Sequence, residues 1–294
     1  MQQSGTECEF RNSDSWVILS PIEQSIKRKI EAVGTPLKDW NIQINYGIKT
    51  GYNDAFIIDT TKRDEILANC QTEDERKRTA ELIRPILRGR DIKRYGYNWA
   101  GMYLIATFPS RHYDIEQYPA VKNYLLSFGI ERLEQTGKVH NVIGEKVKAR
   151  KKTNNKWFET QDSISYWEDF YKQQIIWIEL SDEPKFSYAE NITSVNTVFF
   201  LTGEHVLHIL GVLNSKLITW YFKHCIGTTS GVGTNRWLKY TIEQIPIPAQ
   251  NEQIEHLVVQ INSQYNNLLD AKLDKAVCNQ YGLSDVEIDF IINH

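Results

Sequence analysis

Residues 46–59 read YGIKTGYNDAFIID and place a glycine-containing turn between two runs that favour extended backbone. Residues 41–45 alternate polar and apolar side chains, which is typical of a half-buried strand, and residues 56–58 form a second short apolar run. Gly47 and Gly51 lie between the two runs, where a sharp turn or a close approach of two backbone segments favours residues without a β-carbon. The stretch therefore predicts a strand, a turn and a second strand.

Four side chains of this turn are candidate contacts for a charged ligand: Lys49, Thr50, Tyr52 and Asn53. Lysine supplies a positive charge, and the other three supply hydrogen-bonding groups. A purely structural turn, in which Asn53 bonds to its own backbone, explains the same residues. The sequence leaves both interpretations open.

Two short segments outside the turn concentrate positive charge. The first basic segment, residues 84–94 (RPILRGRDIKR), has a net charge of +4, and the second basic segment, residues 146–156 (KVKARKKTNNK), has a net charge of +6. Because the whole chain carries only −3, the rest of the chain is strongly acidic. A single basic run is usually a solvated surface, but two runs that are each followed by aromatic residues favour a nucleic-acid partner.

The residue types in these segments suit duplex DNA. Lysine and arginine bind phosphates, arginine also bridges the two acceptors of guanine, and asparagine pairs with adenine. Trp157 is a candidate for contact with DNA, whereas Trp177 lies in an apolar strand and is expected in the core. Arg84 and Asp91 are a candidate internal ion pair. The candidate contacts in the two segments are Arg88, Arg90, Lys93, Arg94, Lys146, Lys148, Arg150, Lys151, Lys152, Asn154, Lys156 and Trp157.

The composition is that of an ordinary globular chain of 294 residues, with 41% hydrophobic and 24% charged residues. The chain contains no apolar run of membrane-spanning length and does not open with a signal-like stretch, so we expect a cytoplasmic protein without a membrane partner. Its four cysteines are far apart and include no Cys-x-x-Cys, which argues against a disulfide framework or a zinc site.

The pattern of elements predicts an α+β fold, a mixed sheet with flanking helices and a helical C-terminal tail. Ser20, Pro21 and Glu23 predict a capped helix over about residues 20–33. A long apolar helix is expected over 204–225, with a possible break at 214–215, and residues 254–268 have the spacing of one packed helical seam. The Pro246–Pro248 segment marks a predicted boundary between a domain at 1–248 and a helical segment at 249–294.

Motifs of catalysis are weak or missing. The sequence has no adjacent prolines, so it cannot form the Asn/Asp-Pro-Pro-aromatic loop of amino-methyltransferases, and it has no dinucleotide or phosphate-binding glycine motif. The glycine-rich loop at 227–233 is expected to be a connection or a site of close backbone approach. His205 and His208 lie in an apolar helix without a third ligand at a recognisable spacing, so we expect ordinary histidines and not a metal site. Glu183-Pro184-Lys185, with Asp162 upstream, is the nearest match to a nuclease signature, although a turn explains it better.

The turn at 46–59 resembles the entry motif of the TaqI-like C-terminal specificity domain, a module of adenine-specific DNA methyltransferases and of fused type II restriction-modification enzymes. Further matching stretches follow in the same order, and the similarity spans about residues 21–248. They lie at residues 83–92, 104–109, 118–122, 157–159, 175–177, 210–217, 237–239 and 242–248, and the tail from Tyr281 to Ser284 also resembles the end of such enzymes.

The resemblance implies a module that grips double-stranded DNA and reads its sequence for a methyltransferase or endonuclease domain or subunit. It implies no catalytic residue, cofactor or metal in this chain, because S-adenosylmethionine would bind a separate or missing catalytic domain. The chain would then be an excised C-terminal fragment or a separately encoded specificity subunit. Two alternatives remain open: a Mg²⁺-dependent nuclease fragment that uses Glu183 and Lys185, and a protein-interaction scaffold whose seam at 254–268 docks a partner.

Overall fold

The computed structural model of the chain describes residues 19–229 and 234–293. The helices are α1 (Pro21–Val33), α2 (Asn53–Phe56), α3 (Thr60–Ala68), α4 (Glu73–Leu82), α5 (Pro119–Leu126), α6 (Ile130–Leu133), α7 (Val206–Asn214), α8 (Lys216–Tyr221), α9 (Lys239–Ile242), α10 (Glu252–Ser263), α11 (Asn267–Gln280) and α12 (Asp285–Asn293). The strands are β1 (Thr35–Pro36), β2 (Ile42–Tyr46), β3 (Ile57–Asp59), β4 (Ile83–Leu87), β5 (Met102–Ile105), β6 (Val139–Val142), β7 (Glu145–Lys148), β8 (Gln173–Ile178), β9 (Ser187–Glu190), β10 (Thr193–Ser194), β11 (Val198–Gly203), β12 (Thr228–Thr229), β13 (Asn235–Arg236) and β14 (Pro246–Ile247).

A four-stranded antiparallel sheet, in the order β2-β11-β8-β9, separates two hydrophobic cores. Successive side chains of a strand point to opposite faces, and both faces of β8 and β11 are apolar. Ile175, Trp177 and Leu201 therefore pack into one core, while Ile176 and Phe200 pack into the other. The prediction that Trp177 belongs to the core is confirmed, since it is 1% exposed.

The first core is mainly helical and joins both ends of the described chain. Ser20 and Glu23 form the predicted capping box of α1, which ends before Gly34, and the helix buries Ile26 and Ile30 against this core. Glu287 of α12 accepts a hydrogen bond from Lys29 Nζ at 2.6 Å, which ties α12 to α1. The helix predicted at about 20–33 is confirmed.

The long apolar helix breaks where the sequence suggested. α7 ends at Asn214, and the Ser215 hydroxyl caps α8 by accepting a hydrogen bond from the N–H of Ile218. The predicted seam over 254–268 is only half right. Its first part lies buried in α10, but the helix ends at Ser263, and Tyr265 and Leu268 are 55% and 62% exposed. Asn266 caps a new helix at this point, so the chain turns out of the seam.

Helices α10 and α11 pack directly against α7. A β-carbon on Gly211 of α7 would lie 2.8 Å from side-chain carbons of Ile254 and Val258, so the helices approach closely there. The residues after 248 thus share the core of the residues before it. The boundary at 246–248 stays a prediction, and β14 at that point pairs with β1.

The second core lies beneath a second sheet, in the order β10-β4-β5-β3. β4 pairs parallel to β10 and antiparallel to β5, and β5 pairs antiparallel to β3. Helices α3 and α5 pack beside this sheet. The mixed sheets with flanking and C-terminal helices confirm the predicted α+β class.

The sequence predicts neither a membrane-spanning helix nor a disulfide framework. Among the described residues, no helix has both the length and the apolar character needed to cross a bilayer. Cys70, Cys225 and Cys278 are free thiols. The glycine-rich loop predicted at 227–233 lies outside the described residues from position 230 to position 233.

Candidate nucleic-acid interface

Three short parallel segments bring the entry turn (residues 46–53) and the first basic segment to one edge. Ile48 pairs in parallel with Val195, and Ser194 pairs in parallel with Leu87. The Ile48 N–H donates to the Ser194 carbonyl at 2.7 Å, and the Val195 N–H donates to the Leu87 carbonyl at 3.0 Å. Neighbouring strands lie about 4.8 Å apart, so Ile48 and Leu87 are separated by about 10 Å.

Because the three segments run in the same direction, the residues that follow them leave at the same edge. These are Lys49, Asn196 and Arg88, followed by Gly89 and Arg90. Lys49, Asn196 and Arg90 are exposed. The structure thus places residues from two of the three predicted contact regions side by side, although they are separated by about 40 positions in the sequence.

The entry turn is held by its own side chains. Thr50 is 1% exposed, its hydroxyl donates to Asn53 Oδ1 at 2.6 Å, and it accepts a hydrogen bond from the Tyr52 N–H at 3.1 Å. Thr50 was a candidate contact, but its side chain is committed to the turn. Lys49 and Asn53 are exposed, and Tyr52 is half-buried against Phe128. Asn53 begins the single-turn helix α2, a feature that the sequence interpretation missed.

Arg150 corrects a second candidate. It is 4% exposed, and its guanidinium donates to four backbone carbonyls at 2.6–2.8 Å. The four carbonyls belong to Leu133, Thr50, Glu159 and Trp157. Burial lowers the pKa of Arg150 to about 10, and the nearby Glu159 carboxylate opposes this shift, so the side chain stays charged at neutral pH. Arg150 is a structural residue because its donors point inward.

The Arg150 contact to Thr50 joins the second basic segment to the entry turn. The other candidates of that segment point outward: Lys146, Lys148, Lys151, Lys152, Asn154 and Lys156 are exposed, and Trp157 is half-buried. Lys146 and Lys148 lie in β7, so this part of the segment is a strand. Asn155 is held by backbone carbonyls of Thr160 and Gln161.

Asp162 lies between the entry turn and the second basic segment. Burial raises the pKa of Asp162, and the charges of Lys49 and Lys151 partly offset that rise. Both lysines are therefore electrostatic neighbours of one half-buried carboxyl group. The Gln161 N–H donates to the Lys49 carbonyl at 3.0 Å, so residues 161–162 lie beside the entry turn.

The first basic segment divides into outward and inward residues. Arg90 and Lys93 are exposed. Arg88 makes a two-pronged contact with Asp91, with Nε 3.0 Å from Oδ2 and Nη2 2.8 Å from Oδ1. The hydrogen bond that Arg88 donates to Asp91 raises the pKa of Arg88. Burial alone would raise the pKa of Asp91, but the hydrogen bonds and charge of Arg88 lower it.

Arg94 faces the helical core and not the exposed edge. Its guanidinium forms an ion pair with Asp270 at the start of α11 and donates to the Asn214 carbonyl at 2.7 Å. Burial lowers the pKa of Arg94, but the hydrogen bond to Asp270 and the charges of Tyr95, Asp270 and Asp274 together raise it by more. Arg94 was a candidate contact, and it instead anchors the segment to the C-terminal helices. The expected ion pair between Arg84 and Asp91 is wrong, because Arg84 bonds Asn191 and Asp91 bonds Arg88.

The structure adds three residues to this surface. Asn196 and Thr197 are exposed on the segment that lies between Ile48 and Leu87. Arg132 lies over the ring of Tyr52 at 4.7 Å, beside the entry turn. Asn196 and Thr197 directly follow Val195, and only the pairing of residues 193–195 with two distant segments identifies them.

The structure gives little support to the alternative metal and nuclease sites. His208 is buried, stacks on Trp40 and lies 3.0 Å from the Pro248 carbonyl through Nε2, so it is a core histidine. Glu183 and Lys185 lie in the loop between β8 and β9, and the Ser181 hydroxyl closes a turn onto the Glu183 carbonyl. Within the described residues, no group of three or more histidine, cysteine, aspartate or glutamate side chains has a metal-binding arrangement.

Comparison with known proteins adds family information. The family model of the TaqI-like C-terminal specificity domain matches residues 84–247, which is more than half of the chain. The match includes both basic segments and begins after the entry turn.

Two solved structures share the fold. The type IIL restriction-modification enzyme MmeI, solved in complex with DNA, matches with a TM-score of 0.55 and 13% identity over 88% of this chain and 36% of its own. The type IIG restriction endonuclease BpuSI matches with a TM-score of 0.52 and 12% identity over 92% of this chain and 32% of its own. The chain thus spans about a third of the length of either enzyme.

Proposed function

The chain belongs to the family of TaqI-like C-terminal specificity domains, and on this basis we propose that it recognises double-stranded DNA for a restriction-modification enzyme. The proposed site is the basic edge, defined as the exposed residues of the entry turn, the 196–197 link and the two basic segments. Its members are Lys49, Asn53, Arg90, Lys93, Lys146, Lys148, Lys151, Lys152, Asn154, Lys156, Asn196 and Thr197.

The observation that carries this proposal is the parallel arrangement of Ile48, Val195 and Leu87. It places Lys49 and Arg90 on one edge, although the rest of the chain is acidic. Arg150 then fixes the second basic segment to the same turn through Thr50. Phosphate binding requires several cations on one surface, because each neutralised phosphate adds to affinity through the release of counterions.

The three kinds of side chain on this edge have separate tasks. The lysines hold phosphates and give affinity without sequence preference. Arg90 has the planar donor geometry that matches guanine, and Asn154 and Asn196 have the paired donor and acceptor that match adenine. Arg88 and Asp91 stiffen the backbone that presents Arg90, since they form a closed two-pronged pair next to it.

In this proposal the chain supplies recognition, and a separate domain or subunit supplies methyl transfer or cleavage. S-adenosylmethionine would bind that catalytic partner. Residues of this chain would position the duplex, and none of them would act on a base or on the phosphodiester bond. The alternative nuclease hypothesis differs because it expects Mg²⁺-dependent cutting that is lost in Lys185→Ala.

The experiment is a titration of the chain against mixed-sequence duplex DNA at about 50 mM and about 200 mM salt. We expect affinity to fall steeply with salt, and we expect the double variant Arg90→Glu, Lys93→Glu to abolish measurable binding at the higher salt. The matched control is Lys272→Glu, Lys275→Glu, which reverses two exposed lysines on α11, a helix that carries no residue of the basic edge.

The outcome that contradicts the proposal is equal loss of binding in both double variants, because that would indicate a response to net charge alone. Binding by the wild-type chain that does not depend on salt would contradict it as well. Arg88 is unsuitable for this test, since its loss would leave Asp91 buried without its partner.

A further inference from the structure

The hairpin formed by β6 and β7 ends in an unusual two-residue turn. Val142 pairs with Glu145, so Ile143 and Gly144 alone connect the strands. Their φ angles are +49° and +85°, which matches the turn type that tight hairpins favour. That turn is normally built from asparagine or aspartate followed by glycine, because both central residues need a left-handed backbone.

Ile143 is poorly suited to this position. A β-branched side chain in the left-handed region crowds its own backbone, and Ile143 is in addition 100% exposed. An exposed isoleucine gains nothing from the core, so neither local geometry nor packing accounts for the residue. A strained backbone that carries a fully exposed apolar side chain points to a use outside the folded chain.

The rest of the hairpin indicates what that use is. One face carries the cross-strand pairs Val139–Lys148 and Asn141–Lys146, and all four side chains are exposed. On the opposite face, His140, Val142 and Val147 are half-buried. The exposed face thus presents two cations, one amide and one apolar side chain in a flat two-stranded ribbon.

The base of the hairpin is fixed to the proposed DNA-binding surface. Arg132 Nη1 lies 3.4 Å from the Lys148 carbonyl, and Arg150, two positions further on, is bound to the entry turn. On the other strand, His140 Nε2 lies 3.4 Å from Oε2 of Glu134, the residue that follows α6. A ribbon that is anchored at its base and exposed at its tip reaches away from the body of the molecule.

We propose that the β6–β7 hairpin enters a DNA groove and inserts Ile143 between adjacent base pairs as a wedge. This inference rests on the proposed function, because it takes the basic edge to lie against DNA. Lys146 and Lys148 lie on one strand and hold phosphates on one side of the insertion, and Asn141 on the other strand faces a base edge. Apolar wedges of this kind partly unstack one base step and kink the duplex, and they occur in proteins that otherwise hold DNA through its backbone.

The charge of the hairpin favours DNA over a protein partner as the occupant. Lys138 and Lys148 lie at the base of the hairpin and Lys146 lies between the base and the turn, while Glu145 is the one acid between residues 138 and 148. A ribbon with a net positive charge and an apolar tip is complementary to a base step between phosphates. A hydrophobic protein surface offers no reason for the lysines.

The test uses the whole chain and a duplex obtained by selecting binders from a pool with a randomised centre. 2-Aminopurine is then placed at successive positions of the selected duplex, because its fluorescence rises when a base loses its stacking. We expect wild-type chain to raise the fluorescence at one step. Ile143→Leu should retain the rise, and Ile143→Asn should lose it while binding about tenfold more weakly, the size of one lost base contact.

Folding does not confound the test, because asparagine suits the left-handed position better than isoleucine does. We expect Ile143→Asn to unfold at a temperature equal to or above that of the wild type. A lower affinity without any rise in wild-type fluorescence would overturn insertion, as would unchanged binding by Ile143→Asn. The two proposals fail separately: if the wild type binds no duplex, the DNA-recognition proposal fails first, whereas normal binding by Ile143→Asn removes only the wedge.

Discussion

The guanidinium of Arg150 donates from Nη1 to the backbone carbonyl of Thr50, at a distance of 2.8 Å. This contact joins two segments that lie 100 positions apart and that both carry exposed cations. A charged residue that looks like a phosphate contact in the sequence is thus a structural residue, and it holds segments that carry the proposed phosphate contacts. Its three further bonds, to Leu133, Glu159 and Trp157, hold the backbone on which those contacts sit.

We expect Arg150→Met to destabilise the chain by about 3 kcal/mol or more, because it leaves buried carbonyl groups without donors. Arg150→Lys should recover little, since lysine lacks the planar fork that reaches several carbonyls at once. Urea unfolding followed by circular dichroism measures the change. Lys151→Met is the matched control: it should alter the free energy of unfolding by no more than about 0.5 kcal/mol and should lower the salt slope of DNA binding by about 0.9.

Gly47 is the second residue on which the shape of the basic edge depends. A β-carbon at this position would lie 2.2 Å from the Val195 carbonyl oxygen and 2.4 Å from that of Ser194, so Gly47→Ala must push the entry turn away from the 194–195 segment. We expect a loss of about 2–3 kcal/mol in the free energy of unfolding and weaker DNA binding.

Gly96→Ala is the control for this variant, because a β-carbon on Gly96 meets no atom within 4 Å. Thermal unfolding of the two variants should differ clearly. Equal unfolding temperatures for Gly47→Ala and the wild type would show that the close approach of the three segments is not needed for stability.

The sequence predicted well those features that depend on local order. The capping residues of α1, the apolar strand that contains Trp177 and the break at Asn214 are each visible within a few neighbouring residues, and the structure confirms all three. The seam at 254–268 failed because helical spacing continues through Tyr265, whereas Asn266 caps a new helix. The spacing of apolar residues does not show whether an asparagine lies within a helix or caps the next one.

The sequence did not predict whether a charged side chain points outward or inward. Lys151 and Arg150 are adjacent and equally basic, yet one is exposed and the other is buried. The difference is set by four carbonyl groups that come from distant segments. Arg94 is comparable, because its partner Asp270 is 176 positions away and belongs to a helix beyond the predicted domain boundary. The residues next to Arg94 and Arg150 in the sequence do not reveal partners that are so distant.

Asp274 makes the stability of the helical core depend on pH. Burial raises its pKa to about 6, and Asp270 adds to the rise, while the Lys216 N–H and the charges of Arg94 and Lys216 oppose it. Since the folded pKa exceeds the unfolded value, the protonated form stabilises the folded state. That contribution is complete below about pH 4 and is lost as the pH rises through 6.

We therefore expect Asp274→Asn to stabilise the chain at pH 8 by about 2 kcal/mol and to make little difference at pH 4. Asparagine keeps the oxygen that accepts the Lys216 N–H, at 2.8 Å in the wild type, so the helix cap of α8 is retained. Urea unfolding at the two pH values measures both differences. A variant that is less stable than the wild type at pH 8 would mean that Arg94 and Lys216 outweigh the burial of the charge.

Asp162 offers a test of the basic edge that leaves its cations in place. Its carboxylate lies among Lys49 and Lys151, so it lowers the positive potential that would face DNA. We expect Asp162→Asn to bind duplex DNA about threefold to tenfold more tightly at neutral pH, because one unit charge near a phosphate in water is worth about 1 kcal/mol at 4 Å. Burial raises the pKa of Asp162, so wild-type affinity should also rise as the pH falls and the carboxylate gains a proton. Asp162→Asn should lose this part of the pH dependence.

Fluorescence anisotropy at two pH values measures both effects, with Asp289→Asn on α12 as a control that removes a carboxylate outside the proposed surface. Equal tightening in the two variants would assign the effect to net charge, and weaker binding by Asp162→Asn would mean that the carboxylate orders the lysines for DNA.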